Sequence, residues 1–444
     1  MRLDGSYHIS EGTLYLTKLE KMPHKELQQI CNRIFTAGRN KRVYTERQFG
    51  YPYLSNSDVV KNNPFESCNY NSKKYGEDQN AFLKEGMILT GRVGAIGQSS
   101  YVTSEMEKEG AMGSDNIIRI VTADPNISGY VYAFFASKYG KTLLERLAAG
   151  GVQPYISEEM LKDIPIPILP EEFQQKIHNL IVESAQLRVD ANKLLKEAVE
   201  IFERELISIF EATNFKEKNN NYRVKIDVLR KHNNRLDASY NASWFDHFYA
   251  KLKNSKIVTK TVAELSENVF TPSIFKRVRT ENPDLGVPFL SGSDLLNALP
   301  KMDSLLSRKM ANIDNYILRN GWLALQDAGT IGYVTYVHQF LDGVSATNNL
   351  IRVIPKETDN WNPYIFTFLK TTIGQQILSN FEFGSVQKHI DNHQISSLQV
   401  PIFEQVFKEI TEKILKAMDN FSTACFSERQ AIDLIEKEID QWQQ

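Results

Sequence analysis

Residues Gly86–Gly97 read GMILTGRVGAIG, and residues Gly321–Gly332 read GWLALQDAGTIG. Each is a short apolar run ending in a glycine-punctuated turn, the pattern of a strand that enters a tight bend. The segments that flank these two stretches also match, in the same order. Upstream, Pro52-Tyr53-Leu54-Ser55-Asn56-Ser57-Asp58 returns as Pro288-Phe289-Leu290-Ser291-Gly292-Ser293-Asp294, and Arg2-Leu3-Asp4-Gly5-Ser6-Tyr7 as Arg235-Leu236-Asp237-Ala238-Ser239-Tyr240. Downstream, Gly151-Val152-Gln153-Pro154-Tyr155-Ile156 matches Ser385-Val386-Gln387-Lys388-His389-Ile390, and Ile166-Pro167-Ile168 matches Val400-Pro401-Ile402. Paired positions differ by 233 to 236 throughout, in one order, so the chain is a tandem duplication.

Both copies change character at the same place. The first part mixes β-like runs, such as Asn116–Val121, with Gly and Asn turns, and one amphipathic helix is expected around 129–147, matched by 363–378. After the Pro-broken piece Ile164–Pro170 comes a long helical pattern from Glu171 to about Glu211. Its small or apolar residues fall at Ile177, Leu180, Ser184, Leu187, Ala191, Leu194, Ala198 and Ile201. The second copy supplies Ile410, Ile414, Ala417, Phe421, Ala424, Ala431, Ile435 and Trp442 from Glu404 onward. At 1.5 Å per residue each helix spans roughly 60 Å, and alternating alanines in both suit one close-packed pair. The expected organisation is α/β (α+β), with globular domains at 1–168 and 236–400, long helices at 169–212 and 401–444, and a basic linker at 213–235.

Composition excludes other classes. The chain has 444 residues, 42% apolar and 24% charged, too apolar for disorder. Mean hydropathy is -0.37, no apolar run approaches the roughly 18 residues of a membrane span, and the first residues carry no secretory pattern. Three scattered cysteines, Cys31, Cys68 and Cys425, suit a reducing cytosol. The net charge of -2 conceals a division: both long helices are acidic, the 213–235 segment is basic, and the globular parts are neutral. That basic segment reads first as a solvated linker and second as a phosphate-tracking strip.

Sites for chemistry are missing. The sequence holds no GxxxxGK[ST] phosphate loop, no HExxH, no His/Cys set at zinc spacing and no GxSxG elbow. Asn62-Asn63-Pro64-Phe65 falls one residue short of the Asn-Pro-Pro-aromatic motif of amino-methyltransferases, and the other copy has no equivalent. Pro283-Asp284 lacks the acidic-x-Lys pair of a nuclease. The glycines of 91–97 lack dinucleotide spacing in the second copy and read as a turn. The chain is therefore expected to be non-catalytic and to bind no cofactor of its own.

The ordered series of Gly94-Ala95-Ile96-Gly97 with Gly329-Thr330-Ile331-Gly332, of Gln153-Pro154-Tyr155-Ile156, of Ile166–Gln174, and of a long helix, present twice, resembles the specificity subunit of type I restriction-modification enzymes. The resemblance spans essentially the whole chain. The helix start departs from it, with Pro170-Glu171-Glu172-Phe173-Gln174 and Phe403-Glu404-Gln405 in place of the usual Pro-Leu-x-Glu-Gln. It implies two target recognition domains, each reading half of a split, asymmetric double-stranded DNA sequence. It also implies antiparallel helices that set the gap and hold two methyltransferase subunits, which bring S-adenosylmethionine, with motor-nuclease subunits joining for cleavage in the cytoplasm. A methylation-only or other defence complex is the nearest alternative, and a protein-only coiled-coil adaptor or an enzyme with an unrecognised site stands further off.

Candidate DNA contacts follow from residue chemistry, since phosphates take cations and base edges take Arg, Lys, Asn, Gln, Ser or Thr on a loop. The first copy offers the aromatic-interleaved basic loop Arg39, Lys41, Arg42, Tyr44 and Arg47, with Ser273, Lys276, Arg277 and Arg279 as its counterpart. Lys73 and Lys74 form a second cluster. Arg92 and Gln98 flank the glycine turn, as Asp327 and Tyr333 do in the second copy. Gln153 and Tyr155, with Gln387, Lys388 and His389, complete the set.

Overall fold

The computed structural model describes residues 7–442 apart from 9, 40, 75–77, 150–152, 211–242, 330 and 385–386. The 213–235 linker and the Arg2/Arg235 repeat pair lie outside the described residues. The chain divides into two compact units. The first comprises residues 1–190, 297–299 and 423–444, and the second comprises 191–296 and 300–422.

In the first unit, numbering helices of eight or more residues, the elements are α1 (Glu11–Lys21), α2 (Ser128–Ala136), α3 (Lys138–Leu147) and the first part of α4 (Glu171–Phe210). Its strands are β1 (His24–Glu26), β2 (Cys31–Thr36), β3 (Gly50–Leu54), β4 (Asn69–Ser72), β5 (Ile88–Gly91), β6 (Ser99–Tyr101), β7 (Met112–Gly113), β8 (Ile117–Thr122) and β9 (Pro165–Pro167). They form a four-stranded antiparallel sheet ordered β2-β8-β5-β6, a three-stranded sheet β4-β3-β7, and the ribbon β1-β9. The Pro-broken piece is thus the β9 strand of a two-stranded ribbon, where a missing proline N–H costs no central ladder bond.

The second unit repeats this strand for strand. It contains β10 (Thr259–Thr261), β11 (Ser266–Phe270), β12 (Gly286–Leu290), β13 (Leu305–Ser307), β14 (Leu323–Gln326), β15 (Val334–Tyr336), β16 (Ser345–Ala346), β17 (Leu350–Pro355) and β18 (Gln399–Pro401). Their orders are β11-β17-β14-β15, β13-β12-β16 and β10-β18. Its helices are α5 (Ser243–Asn254), α6 (Asn362–Lys370), α7 (Thr372–Phe381) and most of α8 (Glu404–Gln441).

The single amphipathic helix expected near 129–147 is instead two, α2 and α3, and α6 and α7 repeat the break. Ser137 has extended backbone (φ -68°, ψ 163°), and its side chain caps Gly140 N–H; Thr371 does the same for Gly374. The split lets α2 be buried on nearly every side while α3 keeps an exposed face. Tyr130 and Tyr364 then donate their hydroxyls to the carbonyls of Pro167 and Pro401, tying α2 to β9 and α6 to β18 in the two units.

The main core of the first unit joins Ile88, Ile118, Ile120, Tyr130 and Phe134 to Ile177 and Ile181 of α4 and Ala431, Ile435 and Ile439 of α8. That of the second joins Leu323, Leu325, Ile351, Val353, Tyr364 and Phe368 to Ala191, Ala198 and Phe202 of α4 and Ile410, Ile414 and Ala417 of α8. Within the second unit Glu197 meets Lys413 (2.7 Å) and Glu205 meets Gln405 (2.8 Å), so the two helices run antiparallel there. Small residues on the shared face allow the close approach.

Alternation along β8 and β17 places Ile118, Ile120, Ile351 and Val353 toward the helices and Arg119 and Arg352 toward the three-stranded sheet. Both arginines are fully buried. Arg119 donates to the carbonyls of Ala81, Gly113, Ser114 and Ile117, and Arg352 donates to those of Ala346, Thr347 and Leu350. Burial pushes each guanidinium down to about 10, still charged at neutral pH. Each cation pins the turn that leaves the short parallel strand β7 or β16.

Candidate nucleic-acid interface

The glycine stretch is the turn of a hairpin. Ile88, Leu89 and Thr90 of β5 pair with Tyr101, Ser100 and Ser99 of β6. Gly94 and Gly97 between them have φ of 83° and 82°, and Gly329 and Gly332 have 79° and 96°. Only glycine enters this left-handed region readily, which is why the same spacing stands in both copies. The base of the turn is closed by Gly91 N–H to Gln98 O (3.3 Å), and in the second unit by Gln326 N–H to Tyr333 O (3.1 Å).

Three other segments converge on this turn in the first unit. Arg92 N–H donates to Asn116 O (2.8 Å) in the β7–β8 turn, and Ile156 N–H donates to Arg92 O (2.9 Å). Val93 forms a bridge with Tyr155, and Asn56 Nδ2 donates to Val93 O (2.9 Å). The Asn56 turn closes on itself, with Ser55 N–H and hydroxyl both donating to Asp58 Oδ2.

The second unit builds the same cluster. Asp327 N–H donates to Asn349 O (3.3 Å), Ile390 N–H donates to Asp327 O (2.9 Å), and Ala328 bridges His389. Gln326 Nε2 donates to Gly292 O (2.9 Å) beside the turn in which Ser291 N–H and hydroxyl donate to Asp294 Oδ2. Four stretches scattered over a hundred residues of sequence thereby form one surface in each unit, with Arg92 and Tyr155 of the first replaced by Asp327 and His389 in the second.

The basic loop runs beside β4. Thr45 N–H donates to Tyr70 O (3.0 Å) and Ser72 N–H to Val43 O (2.8 Å), with Tyr44 opposite Asn71. In the second unit Thr280 N–H donates to Leu305 O (3.2 Å) and Ser307 N–H to Val278 O (2.8 Å), with Arg279 opposite Leu306. These matched bonds place Arg277 at the position of Arg42, and Arg279 at that of Tyr44. Arg42 pairs with Asp115 and lies over Tyr53 (5.3 Å), while Arg39, 81% exposed, approaches the other oxygen of Asp115 at 3.9 Å. Burial lowers the Arg42 guanidinium, but Tyr53 and Asp115 outweigh it and the net direction is upward. Arg277 and Arg279 lie over Phe289 at 4.9 and 5.9 Å, and Arg279 donates to the Ser304 hydroxyl.

The candidate residues are not all brought together. Asp115 sits between Ser114, whose N–H binds Leu54 O at the end of β3, and Asn116, which binds Arg92. Arg39, Arg42, Arg92 and Tyr155 therefore gather at the end of β3, and Gln153 is exposed. Arg47, over Tyr70 (5.9 Å), and Lys73, over Tyr51 (5.4 Å), belong to the start of that strand, with Lys74 next to them. Lys41 and Tyr44 are exposed on the loop between. In the second unit Lys276, Gln387 and Lys388 are exposed, His389 is half-buried beside Phe383 (ring centroids 6.1 Å), and the carbonyl of Ser273 accepts from Tyr316 (3.1 Å).

Sequence reasoning passed over Asp115, the acid that orders the basic loop, and Asp327, which it noted only as the neighbour of a turn. The signal for Asp327 was its alignment with Arg92: a reversed charge within an otherwise repeated stretch. The carboxyl of Asp327 is raised by burial, against the opposing influence of His389 and Arg352. Among the described residues, no cluster of three or more His, Cys, Asp or Glu could hold a metal ion, and no helix is long and apolar enough to cross a membrane.

The family model of the type I restriction modification DNA specificity domain matches the chain twice, at residues 20–201 and 254–437. Among solved structures the chain is similar to the S subunit of a type I restriction-modification system from M. genitalium, at 15% identity over 95% of this chain and 93% of that one, with a TM-score of 0.30. It is also similar to the HsdS subunit from Thermoanaerobacter tengcongensis, at 12% identity over 94% and 96%, with a TM-score of 0.28. Comparison with curated protein sequences gives no match.

Proposed function

We propose a function from one premise: the chain belongs to the family of type I restriction modification DNA specificity domains. It is the DNA-recognition subunit of a restriction-modification complex, and each unit reads one half of a bipartite, asymmetric target. One observation carries this reading. The same four-segment loop cluster is built twice, yet it presents Arg92 and Tyr155 in one unit and Asp327 and His389 in the other. Three segments are joined by the same backbone bonds and the fourth by a side-chain amide, that of Asn56 in one unit and of Gln326 in the other. A shared scaffold with different side chains suits two different half-sites, because base edges are discriminated by donor and acceptor pattern.

The flanking cations Arg39, Arg42, Lys276, Arg277 and Arg279 take phosphates and set the register of each domain on the duplex. Helices α4 and α8 set the gap between half-sites and hold two methyltransferase subunits. Those subunits bring S-adenosylmethionine, and motor-nuclease subunits add cleavage. This chain contributes recognition and no bond-breaking step, in the cytoplasm.

Sequencing of modified bases in a host that carries the chain with its methyltransferase subunits tests the proposal. The expected result is one bipartite motif with unlike halves at a constant gap. A modified motif without a split, or no chain-dependent modification, overturns it.

A further inference from the structure

In the loop clusters of the two units, one backbone position carries opposite charges. Arg92 and Asp327 make the same two main-chain bonds, to the β7–β8 turn or its counterpart and to the Ile156 or Ile390 N–H. Their side chains therefore leave equivalent points of equivalent surfaces. Arg92 and Asp327 are half-buried, and the buried atoms Arg92 Nε and Asp327 Oδ1 have no hydrogen-bond partner among the described residues.

Two of the acids in these clusters, Asp115 and Asp327, are treated differently. Asp115 in the first unit is neutralised by Arg42 and approached by Arg39. Its place in the second unit is held by Asn348, which carries no charge. Asp327 makes no ion pair among the described residues; His389 and Arg352 are the side chains that act to lower its carboxyl, and the latter is committed to backbone carbonyls. A half-buried carboxylate without an ion-pair partner, on the surface proposed to face DNA, is repelled by every phosphate nearby. Its presence there is explained by a donor it accepts from, and the donors in the major groove are the exocyclic amino groups of cytosine and adenine. An arginine in the same place finds its best partner in the O6 and N7 acceptors of guanine.

We propose that Arg92 and Asp327 are one equivalent base-reading position with opposite hydrogen-bonding sense. Arg92 donates to a guanine in the first half-site, and Asp327 accepts from the amino group of a cytosine or adenine in the second. This rests on the DNA-reading function proposed above and names the residues that make the two half-sites differ.

The test is selection from a pool of duplex DNA with two randomised half-sites and several gap lengths, using the full-length chain with its methyltransferase subunits. Asp327→Ala is expected to lose discrimination at one base pair of one half-site by about ten- to a hundred-fold, the range of a good base contact, with the other half-site unchanged. Arg92→Ala is expected to do the same at one base pair of the opposite half-site. Asp327→Asn, which keeps the size and one acceptor, is expected to keep the fold and shift the preferred base rather than erase it. The base selected by the wild type at the Asp327-dependent position, cytosine or adenine, identifies the amine. Selected motifs identical to wild type in both alanine variants, or a uniform weakening over all positions, overturn the inference and leave the DNA-reading function standing. A wild-type complex that selects no sequence overturns both.

Discussion

Arg119 and Arg352 occupy equivalent places in the two units, as do Arg92 and Asp327, yet the first pair is identical and the second is opposed. The first pair is fully buried and caged by main-chain carbonyls. A cage made of backbone does not change when side chains around it change, so only a long multi-donor cation satisfies it in either copy. The second pair spends only its backbone on the scaffold, so its side chain is free to differ. The helix pair shows a related contrast. In the first unit Arg188 and Glu428 form a buried ion pair (2.6 Å) that also receives Tyr132 on Glu428 and donates to Ala298 O (2.9 Å). In the second unit the helices are linked instead by the more exposed Glu197–Lys413 pair, at positions that are not the equivalents of Arg188 and Glu428. Polar groups in the duplicated chain are retained where backbone demands them and are individual elsewhere.

The largest effect is expected where a buried charge loses its partner. Glu428→Ala leaves Arg188 unpaired in the interior and should cost about 3–5 kcal/mol, whereas Lys413→Ala should cost no more than about 1 kcal/mol. Urea unfolding of the two variants measures this, and equal losses would break the contrast between the two stretches of helix pair. Next, Arg119→Met and Arg352→Met orphan several carbonyls each and should cost about 2 kcal/mol or more in either unit. A clear loss at one and none at the other would show that the two cages are not equivalent. The smallest effect concerns the interface itself. Arg42→Ala and Arg277→Ala should each weaken DNA binding several-fold and reduce the salt slope by about 1, with complex assembly intact. Arg42→Ala also unmasks Asp115, so its loss should be the greater, and unchanged affinity and slope in both would remove the basic loops from the interface.

Much of this fold was legible because its markers are local. Gly94 and Gly97, with Gly329 and Gly332, announced a turn that needs positive φ, and the apolar stripes announced the two long helices. The break at Ser137 was not legible, because an apolar helical pattern runs through it and the serine reveals itself only by capping Gly140. The candidate interface was half legible. The loops that carry Arg42 and Arg277 were matched as wholes, and the structure pairs the two arginines and puts both beside their three-stranded sheets. Arg47 and Lys73 share a composition with Arg39 and Arg42 but stand at the other end of β3, a separation that composition does not carry. Arg119 stands within the apolar run Asn116–Val121, and nothing local says that four carbonyls meet its guanidinium.

The duplication, the glycine turns and the two long helices follow from the sequence alone, since they rest on periodicity and turn chemistry between near neighbours. Tertiary structure alone decided which distant stretches form one surface. Arg92, Asn116 and Tyr155 are joined by main-chain bonds and a bridge between turns, and Asn56 reaches the main-chain carbonyl of Val93 with its side-chain amide. Such bonds depend on the path of the backbone and are invisible in residue type.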